Sequence, residues 1–270
     1  MVRFDCKGFL ADPSGYTGQL DAAADHFIRE GYVVLDHVLT QQEVEALRCA
    51  FLGFYGSFLQ DTKAGPSLEV GGRRHMIGLR FEGAFADPRI FANPAVMAVV
   101  YRLLEATAII EAYGCFVSLP GAEKQHEHHD GPHLFSSPLS LMLPPYALTF
   151  ALPLVEMNEV QGSTMLLPGS HRWQKRPSDP IEILPVMPQG SCVLWDYRLR
   201  HYGTENRSEG PRPLLYCTYS RPWYRDPVNF RETPGLPRLD LPPGFVETLP
   251  EDIRGLLLHT TEVRPGDRRA

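Results

Sequence analysis

The chain has 270 residues, 43% of them hydrophobic and 21% charged, with a formal net charge of −6, which is typical of a globular protein and excludes a disordered chain. Because it has no Lys/Arg block and no apolar run near the ~18 residues of a membrane span, we expect neither nucleic acid nor a membrane as a partner. Five cysteines without a C-x-x-C pair favour reduced thiols and a cytoplasmic location.

The first third of the chain carries helical signals. Thr40 and Glu43 have the spacing of a capping box, in which a hydroxyl and a carboxylate accept from free backbone N–H groups at a helix start. Asn93 is a predicted N-cap, since the proline after it suits the first turn of a helix. The predicted elements of this part are helices over 21–30, 41–59 and 94–106 and a strand over 32–35.

From residue 108 onward, short apolar and β-branched runs alternate with Gly, Pro and Asn turns. Several short strands separated by turns predict an all-β sandwich or barrel. The predicted strands cover 109–118, 139–143, 147–154, 163–167, 190–195 and 213–219.

We expect one domain over 1–270 whose parts pack as a single cooperative unit. Its helical N-terminal part is predicted over about 1–107 and its β core over about 108–224. A Pro-rich C-terminal extension follows over 225–270, with one short helix near 247–258.

A cluster of histidines predicts a metal site. The stretch KQHEHHDGPHLF, residues 124–135, holds four of the ten histidines. In a strand, residues two apart point to the same face, which pairs His128 with Asp130 as two of the three ligands of a 2-His-1-carboxylate iron site. His201, which follows an apolar run and precedes a polar turn, is the candidate third ligand. The alternatives are a chance His-x-Asp pair and a cupin-like pair of His126 with His128, although no Glu follows at the cupin spacing.

Arg212 opens a predicted strand eleven residues after His201, and an antiparallel return would bring the two side chains together. A guanidinium suits a two-pronged pair with a carboxylate. Fe(II) with open positions beside a buried arginine suits a dicarboxylate co-substrate that chelates the metal at one end, and 2-oxoglutarate is such a molecule. The alternative for Arg212 is a surface charge.

We expect the loop 60–83 and the Pro-rich stretch 221–245 to lie over the site mouth, and we interpret the charged residues of the loop as solvated. The alternative is that they meet an anionic substrate or cover the co-substrate. These residues are Arg73, Arg74, His75 and Arg80. A further group could wall an apolar pocket or belong to the core, and it comprises Phe81, Phe135, Met142, Trp223 and Tyr224.

Four segments in this order resemble the phytanoyl-CoA dioxygenase-like family of Fe(II)/2-oxoglutarate oxygenases over about residues 24–224. They are FIREGYVVLDHVLTQQEVEALRCAF, PGAEKQHEHHDG, NEVQGSTMLLPGSHRW and LRHYGTENRSEGPRPLLYCTYSRPW. The resemblance implies a mainly β fold with flanking helices and a double-stranded β-helix (jelly-roll or cupin-like) core. It also implies Fe(II) on the residues matching His128, Asp130 and His201, with Arg212 on the distal carboxylate of 2-oxoglutarate.

Some members of this family have a hydroxyl two residues after the distal histidine, where this chain has Gly203. Tyr146 or Thr149, on the strand after the metal segment, are the candidates for the missing co-substrate contact, with core residues as the alternative. Related halogenases replace the metal-binding carboxylate by Gly or Ala, so the presence of Asp130 favours oxygenation over chlorination.

The resemblance implies oxidation of a small-molecule substrate by O2, through hydroxylation, desaturation, epoxidation or cyclisation, plausibly in secondary metabolite biosynthesis. Two other classes stay open from the residues alone. One is a cupin-type metal-dependent enzyme that does not use 2-oxoglutarate, and the other is a non-catalytic β-helix binding protein.

Overall fold

An eight-stranded sheet and a smaller pair of strands organise the fold in the computed structural model, which describes residues 1–61, 63–135, 138–229 and 237–260. The strands are β1 (Arg3–Asp5), β2 (Tyr32–Asp36), β3 (Leu68–Gly71), β4 (Arg74–Gly78), β5 (Ile109–Ser118), β6 (Ala147–Pro153), β7 (Thr164–Leu166), β8 (Cys192–Asp196), β9 (His201–Gly203) and β10 (Arg212–Ser220). The helices are α1 (Thr17–Glu30), α2 (Gln41–Tyr55), α3 (Pro88–Phe91), α4 (Pro94–Leu104), α5 (Phe245–Thr248) and α6 (Glu251–Arg254). Within the described ranges, none of the helices has the length and apolar character needed to cross a membrane.

The main sheet has the strand order β1-β2-β8-β6-β10-β5-β4-β3. Its neighbouring strands are antiparallel except β1 with β2. The smaller sheet pairs β7 with β9, and an isolated bridge between His128 and His201 extends it on the other side of β9. One cavity is lined by residues of both sheets. This arrangement confirms the predicted mainly β fold with flanking helices and a double-stranded β-helix core.

The helices pack their apolar sides against one face of the main sheet. Phe51 of α2 and Val96 of α4 belong to the same large core cluster as Leu35 of β2. The capping box of α2 is present, with the Thr40 hydroxyl accepting from the backbone N–H of Glu43. These local signals were readable in the sequence because each depends on residues within one or two helical turns.

Two predicted elements are wrong, and prolines explain both. Residues 139–143 were predicted as a strand, but Pro138–Met142 is a 3-10 helix, and the two prolines after it cannot donate to a strand ladder. The single helix predicted near 247–258 is divided into α5, α6 and a 3-10 helix over Gly255–Thr260. Pro250 separates α5 from α6 as the N-cap of the second.

The segment 60–83 contains a strand pair, not only a loop, since both β3 and β4 lie within it. Gly71, Gly72 and the adjacent arginines interrupt the apolar pattern that identifies longer strands. Together with β1 and β2, these strands extend the main sheet into the N-terminal part, so residue 107 is not a boundary of the β structure. Of the predicted C-terminal extension, 230–236 and 261–270 lie outside the described residues.

Candidate metal centre

The structure brings His128, Asp130 and His201 together, with one candidate ligand atom of each lying within 4.8 Å of the others. The backbone N–H of His128 donates to the carbonyl of His201 at 3.0 Å, and the N–H of His201 donates back at 2.8 Å. This bridge places the two imidazole rings 4.5 Å apart. His201 Nε2 lies 3.5 Å from Asp130 Oδ1. The three residues form a compact set of two imidazoles and one carboxylate.

Backbone carbonyls orient both imidazoles. His128 Nδ1 lies 2.8 Å from the carbonyl oxygen of His126, and His201 Nδ1 lies 2.9 Å from that of Leu199. Since a carbonyl oxygen only accepts, each Nδ1 carries a proton. This tautomer directs Nε2 of each ring, the other ring nitrogen, to the metal position.

Two donors hold one oxygen of the Asp130 carboxylate. Oδ2 accepts from the Thr149 hydroxyl at 3.0 Å and from the Trp195 indole N–H at 2.8 Å. The other oxygen, Oδ1, faces His201. Thr149, which was predicted as a co-substrate contact, lines the cavity but has its hydroxyl on the carboxylate. The arrangement leaves one carboxylate oxygen for a cation.

Tyr146, the other residue predicted as a co-substrate contact, lies elsewhere. Its side chain is buried, its hydroxyl donates to the carbonyl of Pro132 at 2.6 Å, and it is not among the residues that line the cavity. The Tyr146 hydroxyl thus has a backbone partner on the loop that follows the metal segment, outside the cavity lining.

A chain segment that sequence reasoning missed supports the backbone of Asp130. The Asn229 amide donates to the Asp130 carbonyl at 2.8 Å and to the Asp226 carboxylate at 2.7 Å. Asp226 also accepts from the Tyr197 hydroxyl at 2.7 Å. No local pattern could reveal these partners, because about 100 residues separate Asn229 from Asp130.

A cavity of about 480 Å³ contains the three candidate ligands and two buried arginines, Arg74 and Arg212. Each arginine is 3% exposed. Arg212 donates to the Gln161 carbonyl at 2.9 Å and the Ser118 hydroxyl at 3.1 Å. The Nε of each arginine has no hydrogen-bond partner, and no carboxylate of the described ranges lies within ion-pair distance of either. The cavity therefore offers two unneutralised cations to an anionic ligand.

The electrostatics agree with this description. Burial, with the charge of Arg74 adding to it, lowers the pKa of Arg212 to about 9. Burial lowers the pKa of Arg74 to about 10. Both side chains remain cationic at neutral pH, because these pKa values lie well above it, and burial without a counter-ion disfavours both charges.

The sequence prediction that Arg74 is a solvated loop charge is wrong. Arg74 lies on β4, opposite Ser118 in the register, and Ser118 pairs in turn with Arg212. Its guanidinium occupies the space beside Gly203, where a Cβ would overlap it. The missing side chain at Gly203 therefore makes room for a cation, at the position where some related chains have a hydroxyl.

Comparisons with known proteins agree with the fold. The family model of phytanoyl-CoA dioxygenase matches residues 27–214. "Dioxygenase trt7" of Aspergillus terreus is 30% identical over 162 residues, covering 54% of this chain and 56% of that protein. "Dioxygenase af480" of Aspergillus fumigatus is 26% identical over 186 residues, covering 66% and 57%. The chain thus spans a little over half the length of these two relatives.

Solved structures show the same fold at low identity. The α-ketoglutarate-dependent epimerase SnoN from nogalamycin biosynthesis has a TM-score of 0.61 at 19% identity, over 81% of this chain and 88% of that one. HygX from Streptomyces hygroscopicus, with nickel and 2-oxoglutarate bound, has a TM-score of 0.60 at 15% identity, over 76% and 88%.

We predict that Thr149→Val weakens binding of a divalent cation. The change removes one of the two donors to Asp130 Oδ2 and keeps the side-chain shape. Loss of such a supporting hydrogen bond typically costs 10- to 100-fold in metal affinity. Titration of the metal-free protein with Co(II), followed by its visible absorption, measures this. Thr248→Val, on the exposed surface, is the matched control, and equal affinities for the two variants would contradict the assignment.

Proposed function

This chain belongs to the phytanoyl-CoA dioxygenase family, and on that premise we propose that it is an Fe(II)- and 2-oxoglutarate-dependent dioxygenase that oxidises a small molecule. The observation that carries the proposal is the juxtaposition of two imidazoles, one carboxylate and two buried arginines in a single cavity. The imidazoles and the carboxylate suit an iron ion, and the arginines suit 2-oxoglutarate, the dianion that such an iron binds.

The donor set fits Fe(II). His128 and His201 would bind through Nε2, and Asp130 would bind through the oxygen that faces His201. A 2-His-1-carboxylate set leaves coordination positions open for other ligands. The iron, when bound with 2-oxoglutarate, supplies the chemistry that activates O2. The chain holds the ligands through backbone carbonyls, Thr149 and Trp195, which keep them oriented while other ligands exchange.

The buried arginines fit 2-oxoglutarate. Its negative charge would compensate the two cations that the described residues leave without an ion-pair partner, with the other end of the molecule on the iron. We assign Arg212 to the distal carboxylate, as the family resemblance implies. Its Nε is free, as is that of Arg74, while its other nitrogens are held by Gln161 and Ser118. Arg74 lies in the same cross-strand row and would supply the second positive charge.

We propose that the reaction belongs to secondary metabolite biosynthesis and is a hydroxylation, desaturation, epoxidation or cyclisation. Support comes from the matched fungal dioxygenases and from SnoN, which is described as part of nogalamycin biosynthesis. Asp130 fills the position that a chlorinating site leaves open, which favours oxidation. A cytoplasmic location is proposed on the five free thiols, four of which are buried.

We expect His128→Ala, Asp130→Ala and His201→Ala each to abolish turnover, because each removes one ligand of the proposed iron. The measurement is the visible metal-to-ligand charge-transfer band of the anaerobic Fe(II)–2-oxoglutarate complex, together with succinate release in air. Circular dichroism checks the fold. His129→Ala is the control, since this neighbouring residue does not line the cavity. Loss of the band in that control, with its retention in His128→Ala, would contradict the ligand set.

A second prediction separates this function from that of a cupin-type enzyme without 2-oxoglutarate. Arg212→Met should weaken 2-oxoglutarate binding by roughly 30-fold or more, since charge-assisted hydrogen bonds contribute about 1.5–3 kcal/mol each. It should not lower the thermal midpoint of the ligand-free protein, because it removes a buried charge that has no described counter-ion. Calorimetric titration of the Ni(II)-loaded protein and a melting curve measure the two effects. Unchanged affinity and activity would favour the cupin-type alternative.

The third prediction concerns the space at Gly203. Gly203→Ser should displace the Arg74 guanidinium and weaken 2-oxoglutarate binding, because the added Cβ overlaps that group. In an Arg74→Ala background the same substitution should have a smaller effect on binding, since the guanidinium is gone and only the Gln125 side-chain oxygen still overlaps the added Cβ. A double-mutant cycle on the calorimetric Kd values measures the coupling. Additive effects of the two substitutions would show that Gly203 does not act through Arg74.

A further inference from the structure

The cross-strand register arranges the cavity wall in rows. Arg74, Ser118 and Arg212 are aligned across β4, β5 and β10. The next row on the same face, two residues further along each strand, consists of Met76, Phe116 and Leu214, and all three line the cavity. Since two residues of a strand span about 7 Å, an apolar surface begins directly beside the cationic row.

The following row contains Gly114, which lets an aromatic ring lie flat against the sheet. Tyr216 pairs with Gly114, and a Cβ on that glycine would lie 2.5 Å from the Tyr216 hydroxyl oxygen and 2.7 Å from the ring. The tyrosine ring therefore lies across the bare backbone of β5 and does not stand away from it. Its centroid is 4.6 Å from that of Phe116, with 32° between the planes. Two aromatic faces thus join into one surface of the cavity.

These rings belong to a small apolar cluster that is separate from the main core. We define the apolar shelf as its cavity-lining members, which are Leu68, Val70, Met76, Phe116 and Tyr216. The shelf also lies close to the candidate metal centre. Thr218, two residues beyond the last shelf residue on β10, pairs with Thr149, which donates to the Asp130 carboxylate.

The charged groups of the cavity lie outside the apolar shelf. Asp130 is assigned to the iron, and the two arginines are assigned to 2-oxoglutarate, with Arg212 on its distal carboxylate. The remaining charged lining residues, Glu123 and Lys124, have opposite signs, and the Lys124 ammonium lies 4.1 Å from the centre of the Tyr202 ring. The described residues of the shelf thus place no charged side chain against a substrate that lies on it.

We propose that the apolar shelf binds the substrate, and that this substrate is an uncharged, apolar ring system. The inference rests on the proposed function for the neighbouring metal and 2-oxoglutarate. Flat aromatic walls favour ring faces over long flexible chains, and an unpaired ionic group on such a surface would lose its hydration without compensation. The shared volume of about 480 Å³ sets the scale of a small molecule.

Three naphthalene probes of one size test the charge preference: 2-naphthol, 2-naphthoate and 2-naphthylmethylammonium. Each is titrated into the Zn(II)-loaded protein at saturating 2-oxoglutarate, and the anisotropy of naphthyl fluorescence gives its Kd. We expect the neutral probe to bind at least about tenfold more tightly than either ion. Equal or tighter binding of an ionic probe would overturn the proposal.

A substitution on the shelf tests the location. Leu68 is half-buried at the edge of the sheet, so Leu68→Lys is compatible with folding. We expect it to weaken 2-naphthol binding about tenfold and to strengthen 2-naphthoate binding, because it brings a cation to the shelf. Leu10→Lys, at a residue that is 70% exposed, should change neither. Unchanged affinities in Leu68→Lys would overturn the assignment of the shelf.

The two proposals fail in different ways. The anaerobic Fe(II)–2-oxoglutarate charge-transfer band reports on the proposed function and needs no probe. If the band forms and the probes bind without charge preference, only the substrate inference is wrong. If the band does not form, the proposed function is wrong, and the substrate inference that rests on it is overturned as well.

Discussion

The backbone pairing of His128 with His201 is the contact on which the site depends. Two hydrogen bonds join these residues and bring an imidazole from an irregular segment beside one from β9. Nearby backbone carbonyls then orient both imidazole rings, and Asp130 follows His128 by two residues. Because the side chains of a strand alternate between faces, a shift of one residue in this pairing would turn an imidazole away from the others. Register therefore decides whether the ligands converge.

The two buried arginines impose an electrostatic constraint on the same fold. Arg74 and Arg212 lie in one cross-strand row without a carboxylate of the described ranges beside them. Two like charges in a buried cavity destabilise the ligand-free chain, and carbonyl groups compensate only in part. Binding sites tolerate this loss of stability when an anionic ligand compensates the charges. The two arginines therefore lower the stability of the ligand-free chain while they serve ligand binding.

Three glycines determine the shape of the cavity because they have no side chain. A side chain at Gly203 would overlap Arg74, and one at Gly162 would overlap Arg212. Gly114 allows the Tyr216 ring to lie against the sheet. Each glycine thus leaves room for a large side chain from another part of the chain. The positions of the buried arginines and of the aromatic surface therefore depend on backbone that carries no Cβ.

The sequence by itself determined the features that depend on neighbouring residues. The N-cap at Asn93 and the strand over 109–118 were predicted correctly, because capping and apolar runs are local signals. The His-x-Asp spacing and the family motifs also identified the three residues that the structure brings together. Only the tertiary structure decided that Arg74 lines the cavity, that Tyr146 does not, and that Asn229 supports Asp130. Those outcomes follow from strand order, register and loop contacts, which join segments separated by about 100 residues or more and leave no periodic trace in the chain.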